Sequence, residues 1–254
     1  MCVTGSPPQL CRRRVWCGVG GRWQGAGMDF IGQDLRGSRF IRSDLAGAVM
    51  RGVKVAGLDI DSHDLPYAPL VVNGVDVVPY VEAELDRLFP GRGLRSASDP
   101  AGLRSAWSAV ETAWAAAVET ARGREDVSVD GEWTFSQTLR HLVLATNAWL
   151  HGAVLRQEQP FHPIGQPFAE YAEEGFDTSI FREPASYDEV LAVRADHQAM
   201  VRDFLADVTP ETLAERRPDP WAPEDEVTVL DCLQVILDEE WDHLRYALRD
   251  LEKV

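Results

Sequence analysis

The 254 residues, 45% of them hydrophobic, suffice for one sizeable core or for a core with a smaller module beside it. A formal net charge of −16 repels phosphates and excludes a nucleic-acid groove on the folded body. No apolar run reaches the roughly 18–20 residues of a membrane helix, so small molecules and other proteins remain as partners.

Residues 1–27 differ from the rest. They carry Arg12, Arg13, Arg14 and Arg22 with no acid, together with Cys2, Cys11 and Cys17. The Arg run precedes Val-Trp-Cys-Gly-Val-Gly-Gly, too short and glycine-rich for a signal peptide, and the cysteines lack Cys-x-x-Cys spacing. This stretch reads as a disordered extension from a start assigned too early, with Met28 as the natural beginning. Cys232 is the only other cysteine, so no disulfide framework is expected and a reducing cytoplasm is the default setting.

From Asp29 a period of five begins. Phe30, Leu35, Phe40, Leu45, Met50, Val55, Ile60 and Leu65 fall five apart, and Asp29, Asp34, Asp44, Asp59 and Asp64 precede five of them. Neither a helix nor a flat strand has this period, whereas a square right-handed coil does. On these residues the stretch 28–66 resembles the pentapeptide-repeat family, with Gln33, Val53, Leu58 and His63 departing from the small-residue position. The resemblance implies a short right-handed β-helix of about two coils. Residues 29–66 balance acids against bases too evenly to imitate DNA, which leaves a structural cap, or an interaction module for a homodimer or another protein.

Residues 67–97 read as a bridge. Leu70-Val71-Val72 is followed by the turn signal Asn73-Gly74, then by a short amphipathic helix near Val78–Leu88 ended by Pro90-Gly91. Beyond it the pattern is helical. Asp99-Pro100 opens a helix to about Arg122, Thr134-Phe-Ser-Gln137 is a capping box for a helix to about Arg156, and Ser186-Tyr-Asp-Glu189 starts one to about Asp207. Thr209-Pro210 begins a short turn, and the last helix runs from near Glu226–Thr228 to the end. Proline-rich connections at 158–185 and 215–226 have the composition of lids or binding loops. The expected fold is mainly α: a four-helix up-down bundle over 98–254, preceded by the β-helical segment.

The last helix has two apolar stripes. Leu230, Leu233, Leu237, Leu244, Leu248 and Leu251 form one, and Val229, Cys232, Ile236 and Ala247 form the other. His243 falls within the second stripe, with Glu239 one turn before it. Side chains four apart on a helix project together and can reach one ion. His141 stands in the apolar run of the second helix, with Thr138, Ala145 and Ala148 on its face. Taken singly, Glu239–His243 also suits a surface ion pair, and His141 a core histidine bonded to a carbonyl. Together on two helices they suit a metal site inside a bundle. Glu240 competes with Glu239 for the carboxylate role, and Asp242 adjoins both. His151 is expected near an exposed helix end, His197 in solvent, and His162 on a loop within reach of a substrate. Trp133 and Asn147 are candidates to shape the pocket.

Residues 98–254 resemble the DinB-like superfamily, in particular the branch that includes mycothiol-dependent maleylpyruvate isomerase. The likeness lies in Gly131-Glu-Trp-Thr-Phe-Ser-Gln-Thr-Leu-Arg-His141-Leu and in Leu237-Asp-Glu239-Glu-Trp-Asp-His243-Leu-Arg-Tyr. Many relatives use three histidines; Glu239 in place of one matches the His, Glu, His set of that branch. The resemblance implies His141, Glu239 and His243 as ligands of a divalent metal, Zn2+ first, with Ni2+, Fe2+ and Mn2+ compatible with the same donors. It further implies mycothiol as co-substrate of a transferase or isomerase acting on a small molecule. Two alternatives stand beside this one: a metal-dependent hydrolase, and a non-enzymatic metal-stabilised bundle whose repeat segment recruits a partner.

Overall fold

The computed structural model describes residues 28–41, 43–173, 175–182 and 186–254. The extension expected at 1–27 lies outside them. The chain divides after Ser62 into two compact units.

In the first unit the five-residue period becomes a series of turns. Gly32, Gly37, Gly47, Gly52 and Gly57 adopt left-handed φ angles between 64° and 78°, where glycine carries no Cβ penalty. Leu35, Leu45 and Val55 each accept a bond from the backbone N–H three residues on. The expected β-helix does not appear as ladders, since no strand is assigned among the described residues of this unit. The apolar residues from Phe30 to Ile60 at five-residue spacing stay 42–55% exposed. About two coils would give each of them a stacking neighbour on one side only, too little to bury it.

The second unit opens with a 3-10 turn at Leu65–Tyr67, followed by a hairpin of β1 (Val71–Val72) and β2 (Val75–Asp76), turned by Asn73-Gly74, both with positive φ. Helix α1 (Val78–Leu88) follows, and a 3-10 turn at Arg92–Ser96 that was not foreseen. Arg92 and Arg95 of that turn bind Glu82 of α1, and Arg95 also reaches Asp238, so the bridge is pinned by ion pairs onto the last helix.

Four long helices carry the core: α2 (Pro100–Ala121), α3 (Phe135–Thr146), α4 (Tyr187–Asp207) and α5 (Val229–Leu251). Each starts where its local sequence satisfies the free N–H groups of a first turn. Asp99 caps α2 through Ala101 and Gly102, Thr134 and Gln137 close a capping box on α3, and Ser186 accepts from Glu189. Helix α5 has the reciprocal pair Thr228 and Asp231. Thr228→Ala is expected to cost about 1 kcal/mol, read as a lower urea midpoint with an unchanged denaturant slope.

Around the bundle α2 packs on α4 and α5, and α3 packs on the same two. Chain neighbours α2 and α3 therefore lie across a diagonal, as do α4 and α5, rather than side by side as in the simplest up-down order. The connections that cross the bundle end are long enough to allow this. One of them, expected as a loop at 215–226, contains a hairpin of β3 (Arg216–Pro218) and β4 (Glu226–Thr228). Trp107, Trp114, Trp241, Leu139, Leu142, Leu144 and Ile236 fill the interior.

The second helix departs from its expected form at its end. After Thr146 it continues as a π-helix over Asn147–Val154, with Leu155 N–H bonded to Leu150. Widening the helix there brings a polar row, Asn147 and His151, against α4 and the following loop. Such segments are frequent at functional sites.

Candidate metal centre

Helix α3 supplies His141 and α5 supplies Glu239 and His243, and one ligand atom from each lies within 4.8 Å of the others. His243 Nε2 stands 3.1 Å from Glu239 Oε2, as the four-residue spacing on a helix requires. His141 Nε2 approaches the same oxygen at 3.5 Å from across the bundle. His141 is fully buried and the other two nearly so.

Burial pushes the Glu239 carboxyl up, but the two imidazoles outweigh it and hold the group at about 2. Burial lowers the pKa of His243, opposed by its contact with Glu239. The site thus presents a carboxylate and a neutral imidazole at ordinary pH. His141 Nδ1 lies 3.0 Å from the Gln166 carbonyl, which can only accept, so Nδ1 carries the proton. In the neutral ring that turns the Nε2 lone pair toward the Glu239 carboxylate. That lone pair, His243 Nε2 and the carboxylate converge on one point, and the donor set therefore fits a divalent metal.

Aromatic rings wall the centre. Trp133 stacks on Phe168 with centroids 4.6 Å apart and lies 4.8 Å from His141 and 6.1 Å from His243. Phe168 lies 4.9 Å from His141, and Tyr246 meets His243 edge-on at 5.7 Å. These rings place apolar surface beside the centre, which lowers the local dielectric and strengthens the charges inside. Trp133 was a candidate for this role; Phe168 and Tyr246 carried no periodic signal that could have singled them out.

The acidic run of α5 is sorted by helix angle. Asp238 accepts from Arg95 and Tyr67, whereas Glu239 faces the imidazoles. Glu240 is paired with Arg194 of α4, and burial raises its carboxyl against that pairing. Asp242 is pushed up to about 7 by burial. Glu239 and Glu240 differ by about 100° around the axis, so only one can reach the metal position.

Two expectations about the other histidines are corrected. His151 is 6% exposed rather than at an exposed end, and His197 is 4% exposed rather than solvated. Asn147 joins them, its Nδ2 donating to His151 Nδ1 at 2.9 Å and to His197 Nε2 at 2.8 Å. The Asn147 Oδ1 accepts from the His162 backbone N–H at 2.8 Å, which ties the loop to the helix. Asn147 thus supports this second cluster and does not line the metal centre. The π-helical widening, invisible to periodicity, is what brings these groups inward.

Among the described residues no helix is long and apolar enough to cross a membrane. A sequence model of the DinB superfamily matches residues 103–247. No curated protein and no solved structure gives a match.

Proposed function

The chain belongs to the DinB superfamily, and on that premise we propose that His141, Glu239 and His243 hold one divalent metal ion in a small-molecule enzyme of the thiol-transferase or isomerase kind. The observation that carries the proposal is the convergence of three ligand atoms from two helices within 4.8 Å. Two imidazoles and one carboxylate are the donors of catalytic rather than structural zinc sites, with a coordination position left for a reactant. Zn2+ is the first candidate, and Ni2+, Fe2+ and Mn2+ suit the same donors. A bound ion would supply the Lewis acidity that turns a thiol or water into a nucleophile near neutral pH.

The chain's own residues account for the rest. His243 presents a neutral nitrogen, Glu239 a negative charge and His141 its Nε2, while Trp133 and Phe168 form an aromatic wall against which a substrate can be held. The choice of a thiol, with mycothiol as co-substrate, is supported by the carboxylate at position 239, where the resembled isomerase branch also has one. The segment 28–66 is read as pentapeptide repeats that recruit a partner or a second copy, supported by left-handed glycines at multiples of five residues.

Metal content of the purified chain tests the site. About one ion per chain is expected, lost in His141→Ala and in His243→Ala; retention in both variants overturns the assignment. Adding mycothiol to cobalt-substituted protein is expected to shift its visible spectrum. An unchanged spectrum together with turnover of simple esters would replace the thiol reading by hydrolysis.

A further inference from the structure

We infer that Arg140 is a positioning residue for the metal centre, fastening the 162–166 turn to α3 so that the Gln166 carbonyl meets the Nδ1–H of His141 and Nε2 is presented to the ion. The inference rests on the metal reading above and adds to it the part of the protein that sets the ligand's tautomer.

The turn is held from both ends of residue 140. Its backbone carbonyl accepts from Gln166 N–H at 3.2 Å, and its Nε donates to the Ile164 carbonyl at 2.8 Å. The other arm of the guanidinium, Nη2, donates to the Arg182 carbonyl at 3.0 Å, while Arg182 N–H returns to Pro163 at 2.9 Å. One buried fork thus clamps two stretches of the long connection that are far apart in sequence. Arg140 precedes His141 by one residue, about 100° around the helix, so it cannot share the ion; it can act only through the loop. A second tie, from Asn147 Oδ1 to His162 N–H, holds the start of the same turn.

This fastening has a chemical consequence. An imidazole with no fixed acceptor at Nδ1 can carry its proton on either nitrogen, and the Nε2–H form cannot ligate through Nε2. A carbonyl held 3.0 Å from Nδ1 selects the ligating form and fixes the plane of the ring. Lysine at position 140 would keep the charge but lose the planar fork that spans two carbonyls.

The test uses the full chain labelled with 15N-histidine, first without metal. At a pH where the ring is neutral, wild type is expected to show His141 protonated at Nδ1 only, and Arg140→Lys to show both tautomers in exchange. In a chelator competition the same variant is expected to bind Zn2+ about 10–100-fold more weakly. Gly165→Ala probes the turn without touching α3, because its Cβ would fall 2.9 Å from Phe181 Cε1 and 3.3 Å from the His162 carbonyl. It should shift tautomer and affinity in the same direction, and Arg140→Gln, whose shorter amide cannot span the two carbonyls, takes the place of Arg140→Lys if that variant does not fold. Unchanged tautomer signals and unchanged affinity in cooperatively melting variants would overturn the inference. A wild-type chain that binds no metal would instead overturn the metal assignment, and the metal-free tautomer measurement would still judge the role of Arg140.

Discussion

Replacing Arg194 by methionine is expected to destabilise the protein by about 3–5 kcal/mol at neutral pH, the usual cost of leaving one buried charge without its partner. Arg194 and Glu240 are 4% and 1% exposed, and the Nη2 of Arg194 bonds both carboxylate oxygens. The Nε and Nη1 of Arg194 have no hydrogen-bond partner among the described residues, so the pair is itself imperfectly solvated. Burial already pushes the Glu240 carboxyl up, with Arg194 opposing it. In Arg194→Met that opposition is gone, and the folded state takes up a proton that the unfolded state, near 4.5, releases at neutral pH. The deficit should therefore shrink as pH is lowered from 7 to 5, which urea titrations at both values would show. The double variant Arg194→Met, Glu240→Leu should recover most of the loss, since an apolar pair of similar volume is often neutral or better than a buried ion pair. A single variant as stable as wild type would mean that the pair is not desolvated as described.

Acid should expose the other buried centre. Burial lowers the His197 pKa to about 4, with the nearby His151, Arg194 and His162 adding to the shift and the bond to the Val193 carbonyl opposing it. An unfolded histidine near 6.5 binds a proton that the folded one refuses until about 4. Stability from this group is therefore complete above 6.5 and is lost as pH falls through 4, by up to roughly 3 kcal/mol. His151 and His162 are shifted in the same direction, both by burial first, and steepen the same window. Metal-free protein compared with His197→Gln isolates the effect from the carboxylates, which both forms share. The variant should start less stable at pH 7 and lose about 3 kcal/mol less on the way to pH 4. Parallel pH profiles would show that His197 is protonated as easily folded as unfolded.

Much of the helical architecture was legible because helix starts are local. Thr134 with Gln137, Ser186 before Glu189, and Asp99 before Pro100 each solve a hydrogen-bonding problem within four residues, and the structure places the helix starts at those caps. The Asn73-Gly74 turn was legible for the same reason, since it needs two positive φ angles in succession. The grouping of Glu239 with His243 followed from the same local rule, one helical turn. What could not be read was the bond between elements. The guanidinium of Arg194 lies on another helix, and its pairing with Glu240, which removes the competitor of Glu239, has no trace in Asp-Glu-Glu-Trp-Asp.

By itself, then, the sequence determined where the four long helices lie, and that His141, Glu239 and His243 could meet. Caps, turn residues and periods of 3.6 act over a few residues and leave their pattern in the chain. Only the tertiary structure decided which side chains are buried. His151 and His197 look like surface histidines in sequence, yet Asn147 on a π-helical turn draws both into the interior. It alone also decided that a backbone carbonyl, of Gln166, orients His141. A carbonyl belongs to every residue and has no letter of its own, so its role exists only once the loop is folded against the helix.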